Sequence, residues 1–121
     1  MKIIKNDSIS KEDMTNKPLF YGGQVSREAI VGNETSTYFN FSLVHFAAGA
    51  KNKFHTHTSD QILFVTEGTG IVANESKEFN MSEGDTAFIP AGEKHWHGAV
   101  DTSDFTHISL LHPTSKTGMF E

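Results

Sequence analysis

The chain has 121 residues, 36% of them hydrophobic, with 15 acidic and 10 basic side chains, seven histidines and no cysteine. That length suits one domain with a modest core, and the missing cysteines exclude disulfides, thiolate nucleophiles and Cys-ligated zinc. A net charge of -5 with scattered basic residues excludes a nucleic-acid footprint, and no apolar run approaches the ~20 residues of a membrane span.

The first stretch, MKIIKNDSISKEDM, lacks the apolar centre of a secretory signal, so the expected location is the cytoplasm. Residues 1–17 are polar and aperiodic. They are expected to form a flexible arm, or a strand that pairs only between copies of the chain. Residues 18–121 are expected to form one domain. From Leu19 the chain reads as β structure. LFYGGQVSREAIVG predicts strand, turn, strand, with Gly22 and Gly23 at the turn. Thr37–Phe46 is rich in aromatic and β-branched residues and alternates. AAGAKNK is expected to turn the chain. QILFVTEG predicts a nearly continuous apolar strand ending at Gly68. TGIVANESKEFNMSEG predicts two short strands around a polar turn. DTAFIPAGEKHWHGAV predicts a strand, a Pro-Gly turn and a strand, and Phe105–Pro113 holds the last expected strand. No segment has helical periodicity over ten residues or more. Short strands at about ten-residue spacing predict an all-β sandwich or barrel.

Four of the seven histidines form two H-x-H pairs, His55/His57 and His95/His97. Residues two apart on a strand share a face, so each pair projects together. Gln61 has the parity of His57, and a continued strand keeps it on that face. Two imidazoles of fixed direction make half a coordination sphere, and a third ligand from a distant strand encloses the site. A lone strand histidine is more commonly a hydrogen-bonded core or surface residue. His45 and His112 take that reading.

The spacing resembles a known family. Gly49, His55, His57, Gln61 and Gly68 match the first cupin motif, with Gln61 where glutamate is usual. Gly84, Pro90, Gly92 and His95 match the second, with Ala99 in place of the usual asparagine. The resemblance implies a double-stranded β-helix, a jelly-roll barrel. It also implies a metal held by His55, His57, Gln61 and His95. One divalent transition metal per chain is expected, with manganese favoured and iron, cobalt, nickel and zinc open. A neutral glutamine leaves a dication its full charge, which favours Lewis-acid chemistry over oxidation. Small cupins commonly cover sheet edges by exchanging N-terminal strands, so a homodimer or higher homo-oligomer is expected.

The stretch PAGEKHWHGA, followed by Thr106 and His107, resembles the small manganese-type cupin hydroxynitrile lyases. That resemblance implies that His107 acts as acid/base near a small-molecule substrate and that His97 lines the same pocket. Asn40, Ser42 and Val44 share one face of their strand and are expected to line it too. Phe39, Phe41 and Leu43 are then expected to pack against the other sheet layer. The leading functional expectation is a metal-dependent lyase cleaving cyanohydrins to aldehyde and hydrogen cyanide. The alternatives are a cupin dioxygenase and a non-catalytic small-molecule-binding cupin.

Overall fold

The computed structural model describes residues 1–120, which form strands, turns and one short 3-10 turn at Asn6–Ser8. Thirteen strands follow in chain order: β1 (Glu12–Asp13), β2 (Phe20–Tyr21), β3 (Val25–Val31), β4 (Asn40–Phe46), β5 (Lys51–Asn52), β6 (His55–His57), β7 (Gln61–Gly68), β8 (Gly70–Asn74), β9 (Glu78–Met81), β10 (Thr86–Ile89), β11 (His95–Ala99), β12 (Phe105–Leu111) and β13 (Thr117–Met119). The first sheet runs β1-β3-β4-β12-β7-β10, and the second runs β13-β6-β11-β5-β2, with β8 joining β11 to β9. All pairings are antiparallel. The two sheets face each other as a jelly-roll barrel. Among the described residues no helix is long and apolar enough to cross a membrane.

Alternation sets which side chains enter the barrel. On β7, Gln61, Leu63 and Val65 are buried while Ile62, Phe64 and Thr66 face out. On β4, Asn40, Ser42 and Val44 face inward, as expected. Phe39, Phe41 and Leu43 do not pack under another layer: Phe39 is 56% exposed, and Phe41 and Leu43 lie half-buried on the outer surface. The sheet has one covering layer, and the polar face of β4 already meets it.

An apolar cluster of Met14, Val25, Phe46, Ala50, Val65, Met81, Ala99 and Phe105 packs one part of the interior. Burying each of its large side chains contributes about 1.5–3 kcal/mol. Met14 belongs to the segment expected as an arm, yet its N–H donates to Val25 at 2.8 Å and its side chain is buried. Residues Glu12 and Asp13 pair with β3 of the same chain. Of residues 1–17, the last part is thus built into this barrel.

Two glycines hold the strands that carry the site. Gly68 ends β7 with φ 76° in the left-handed region, and a Cβ there would lie 1.8 Å from the Asp104 carbonyl oxygen. Only glycine fits that approach. Gly92 has φ 85°, and its N–H donates to the His57 carbonyl at 2.9 Å. That bond ties the turn before His95 to the strand carrying His57.

Candidate metal centre

Strands β6 and β11 are paired with His55 directly opposite His95, and their ring centroids lie 4.3 Å apart. His57 follows on the same face, its ring 4.9 Å from His55 and 5.4 Å from His95. Gln61 does not continue β6. Residues 58–60 carry the chain across to the other sheet, and Gln61 opens β7 there. It therefore meets the histidines from the opposite wall, and its oxygen lies 3.2 Å from His95 Nε2.

Second contacts fix each ring. His55 Nδ1 donates to the Lys53 carbonyl at 2.7 Å, and His95 Nδ1 donates to the Glu93 carbonyl at 2.8 Å. A carbonyl can only accept, so Nδ1 carries the proton and Nε2 holds a lone pair. His57 Nδ1 meets Thr117 Oγ1 at 3.0 Å, and its Nε2 is buried without a partner. Gln61 Nε2 donates to Ser109 Oγ at 3.0 Å, which aims the amide oxygen inward. A histidine lone pair and an amide oxygen thus face each other at 3.2 Å, an arrangement that a shared cation makes favourable.

Burial keeps these imidazoles neutral. It pushes His55 down to about 3, aided by repulsion from His95 and His57, against the Lys53 carbonyl. It pushes His57 down to about 4, aided by repulsion from His95. His95 is lowered by burial as well, with the Glu93 carbonyl opposing. Neutral imidazole is the metal-binding form.

By distance alone, His55, His95 and His97 place one ring nitrogen each within 4.8 Å of one another and could hold an ion. The hydrogen bonds separate His97 from the other two. Asn52 Oδ1 accepts the His97 backbone N–H at 2.8 Å, which fixes the amide, and its Nδ2 donates to His97 Nε2 at 3.2 Å. His97 Nδ1 then donates to His107 Nε2 at 3.1 Å, and His107 Nδ1 donates to the Ile108 carbonyl at 3.1 Å. Both His97 nitrogens are occupied, whereas His57 Nε2 is free. His57 lies outside that 4.8 Å group, but with its Nδ1–H donating to Thr117 Oγ1 its Nε2 joins His55 Nε2, His95 Nε2 and the Gln61 oxygen as a lone pair that no hydrogen-bond donor fills. This donor set fits an octahedral divalent ion that keeps positions for other ligands.

His107 is fully buried, and burial pushes it down to about 4; His97 is held well below its ordinary value, first by burial and then by repulsion from His107. A bulge between Thr106 and His107 sets His107 opposite Val65, on the inward side. Both histidines line a cavity of about 370 Å³ together with His55, His57 and Gln61. Asn40, Ser42 and Val44 line it too, as their parity predicts. His95 borders a separate groove beside β9 and β10. His45 binds Glu28 at 2.6 Å and Thr106 Oγ1 at 3.0 Å near the surface, and His112 binds Thr114 in a loop. Neither joins the site.

Several contributors escape a reading of the sequence. Asn52 and Thr117 stand on two- and three-residue strands, too short for a visible period. Ser109 had a signal: it lies two residues after His107 and shares its face. Arg27 and Lys17, which also line the cavity, had none.

A two-sheet antiparallel barrel with inward histidines able to hold a metal ion defines a class of protein. Within it, the cupin domain family matches residues 42–110, and the chain belongs to the cupin family. It is 40% identical over 68 residues to the (R)-mandelonitrile lyase of Granulicella tundricola, covering 55% of this chain and 52% of that protein. It is 32% identical over 65 residues to an acireductone dioxygenase of Acidiphilium cryptum, covering 50% of this chain and 36% of that one. The chain therefore spans about half or less of the length of these curated relatives. A cupin-like protein from Thermotoga maritima superposes with a TM-score of 0.77 at 25% identity, over 96% of this chain and 87% of that one.

Proposed function

We propose that the chain is a metal-dependent lyase, and most concretely that it cleaves cyanohydrins reversibly to an aldehyde and hydrogen cyanide. The observation that carries this reading is the pairing of two separate devices in one interior. One is the open donor set of His55, His57, Gln61 and His95, all without charge. The other is the hydrogen-bonded His97–His107 pair. The 40% identity to a mandelonitrile lyase over 68 residues supports it.

A bound divalent ion, manganese by preference, would supply Lewis-acid polarisation of an oxygen or cyanide ligand. The chain's own residues do the remaining work. His107 Nε2 exchanges its hydrogen bond from His97 Nδ1 for the substrate hydroxyl and holds that proton while the carbon–carbon bond breaks and its electron pair leaves on cyanide. The same proton then returns to cyanide as hydrogen cyanide. In the resting site His97 Nδ1 occupies the His107 Nε2 lone pair, and Asn52 fixes His97. Ser42 and Val44 leave space beside the pair for the aldehyde side chain.

Release of benzaldehyde from mandelonitrile near pH 5, measured on manganese-loaded protein, tests the reading. A rate no higher than the uncatalysed one removes it. A second reading, dioxygen-dependent cleavage, draws on the 32% identity to an acireductone dioxygenase. Oxygen uptake with a phenolic or enediol substrate would favour it.

A further inference from the structure

Among the described residues, two buried side-chain polar atoms lack a hydrogen-bond partner: His57 Nε2 and Arg27 Nε. Both residues line the same cavity. The first belongs to the metal-binding set. The second is unexplained, and an unpaired buried donor is costly unless something completes it.

Arg27 lies on β3 facing inward. Cross-strand pairing puts it opposite Val44, and Val44 opposite His107. Arg27 and His107 are therefore two strands apart in one row, about 10 Å from backbone to backbone. Among the described residues the guanidinium donates only through Nη2, to Glu12 at 2.8 Å. Lys17 also lines the cavity, and its ammonium shares Glu12 at 3.9 Å. Two cations of the cavity wall thus share one exposed carboxylate, Glu12, which does not itself line the cavity. The chain carries 15 acidic residues and a net charge of -5, yet among the described residues no Asp or Glu lines this cavity. A cleft lined by one sign of charge concentrates ligands of the other.

We infer that the cavity takes a small oxygenated carboxylate, with Arg27 as its anion anchor and Lys17 as a supporting charge. Arg27 is suited to this because its planar fork matches a carboxylate in two-point contact. The row from Arg27 to His107 leaves space for a molecule of a few carbons. Its oxygen function then reaches the histidines while its carboxylate stays at the mouth. This inference rests on the proposed metal-dependent lyase and names the substrate class of the same site. Neutral cyanohydrins would then be accepted as small substitutes.

The test is calorimetric binding of mandelate and of its neutral amide, mandelamide, to the manganese-loaded protein. Mandelate is expected to bind at least ~10-fold more tightly, as befits a charge-assisted contact. Arg27→Gln is expected to lose about 10- to 100-fold for mandelate and little for mandelamide, at unchanged metal content. Arg27→Lys recovers part of the loss. Glu12→Gln, which frees Nη2, tightens mandelate by up to about fivefold. Equal affinities for the two probes in the wild type, or unchanged mandelate affinity in Arg27→Gln, overturns the inference. Weaker mandelate binding in Glu12→Gln overturns it as well. Failure of the lyase reading looks different: mandelate binds through Arg27 while mandelonitrile stays intact.

Discussion

His107 Nε2 accepts a hydrogen bond from His97 Nδ1 at 3.1 Å, and no part of His107 reaches solvent. Phe46 lies against both rings, at 5.7 Å from each centroid. The pair is thus packed on one side by the apolar cluster and opens only on the cavity. This geometry keeps the pair neutral beside the donor set of His55, His57, Gln61 and His95, with the His107 Nε2 lone pair held by His97 until a substrate hydroxyl takes its place.

If that lone pair moves the proton, its removal must be costly. His107→Ala is expected to keep its metal and to lose at least ~100-fold in mandelonitrile cleavage, the lower range for positioned acid/base catalysis. Metal content and benzaldehyde release, measured on the same sample, check it. Unchanged turnover removes His107 from the mechanism.

Acid should weaken the metal-free fold. His57 and His107 are held at about 4 and His55 at about 3, each chiefly by burial, while an unfolded histidine titrates near 6.5. Between those values the unfolded chain binds protons that the folded chain refuses. The stability is therefore full above about pH 6.5 and falls as the pH drops toward the folded values. Each of these histidines contributes a slope of about 1.4 kcal/mol per pH unit in that window. Melting temperatures of chelator-treated protein between pH 7 and pH 4 check it, and a flat profile would contradict buried neutral imidazoles.

Gln61→Glu should bind the metal more tightly, because a carboxylate adds the charge that the amide lacks. It also loses the donor that meets Ser109 Oγ at 3.0 Å, so the Ser109 hydroxyl must turn to donate instead. Competition with a coloured chelator measures the change. Weaker binding would mean that residue 61 does not ligate.

A homodimer is expected from the exposed β edges and the polar stretch ahead of Glu12. The outer face of the first sheet adds a second reason, since Ile62, Phe64 and Phe88 lie exposed there. Light scattering should give twice the 13.4 kDa chain mass. A single-chain mass at high concentration would oppose it.

Much of this was written in the local pattern. The H-x-H pairs and the parity of Asn40, Ser42 and Val44 show which side chains face inward, because strand alternation is a local rule. Gly68 and Gly92 mark their turns because positive φ selects glycine. What the sequence hides is pairing between distant segments. Thr117 meets His57 from a stretch that looks like a tail, and Asn52 meets His97 from one that looks like a turn. Gln61 reaches the histidines by crossing between sheets, although simple parity predicts a continued strand. The outward placement of Phe41 and Leu43 follows from the number of layers, which no single strand records.

We propose that His57, and not His97, completes the metal-binding set with His55, Gln61 and His95. Elemental analysis of protein expressed with added manganese tests it most directly, run on wild type, His57→Ala and His97→Ala. About one metal per chain is expected in the wild type, with a large loss in His57→Ala and retention in His97→Ala, all three being folded. Well-folded wild type without metal, or loss in His97→Ala with retention in His57→Ala, would contradict it.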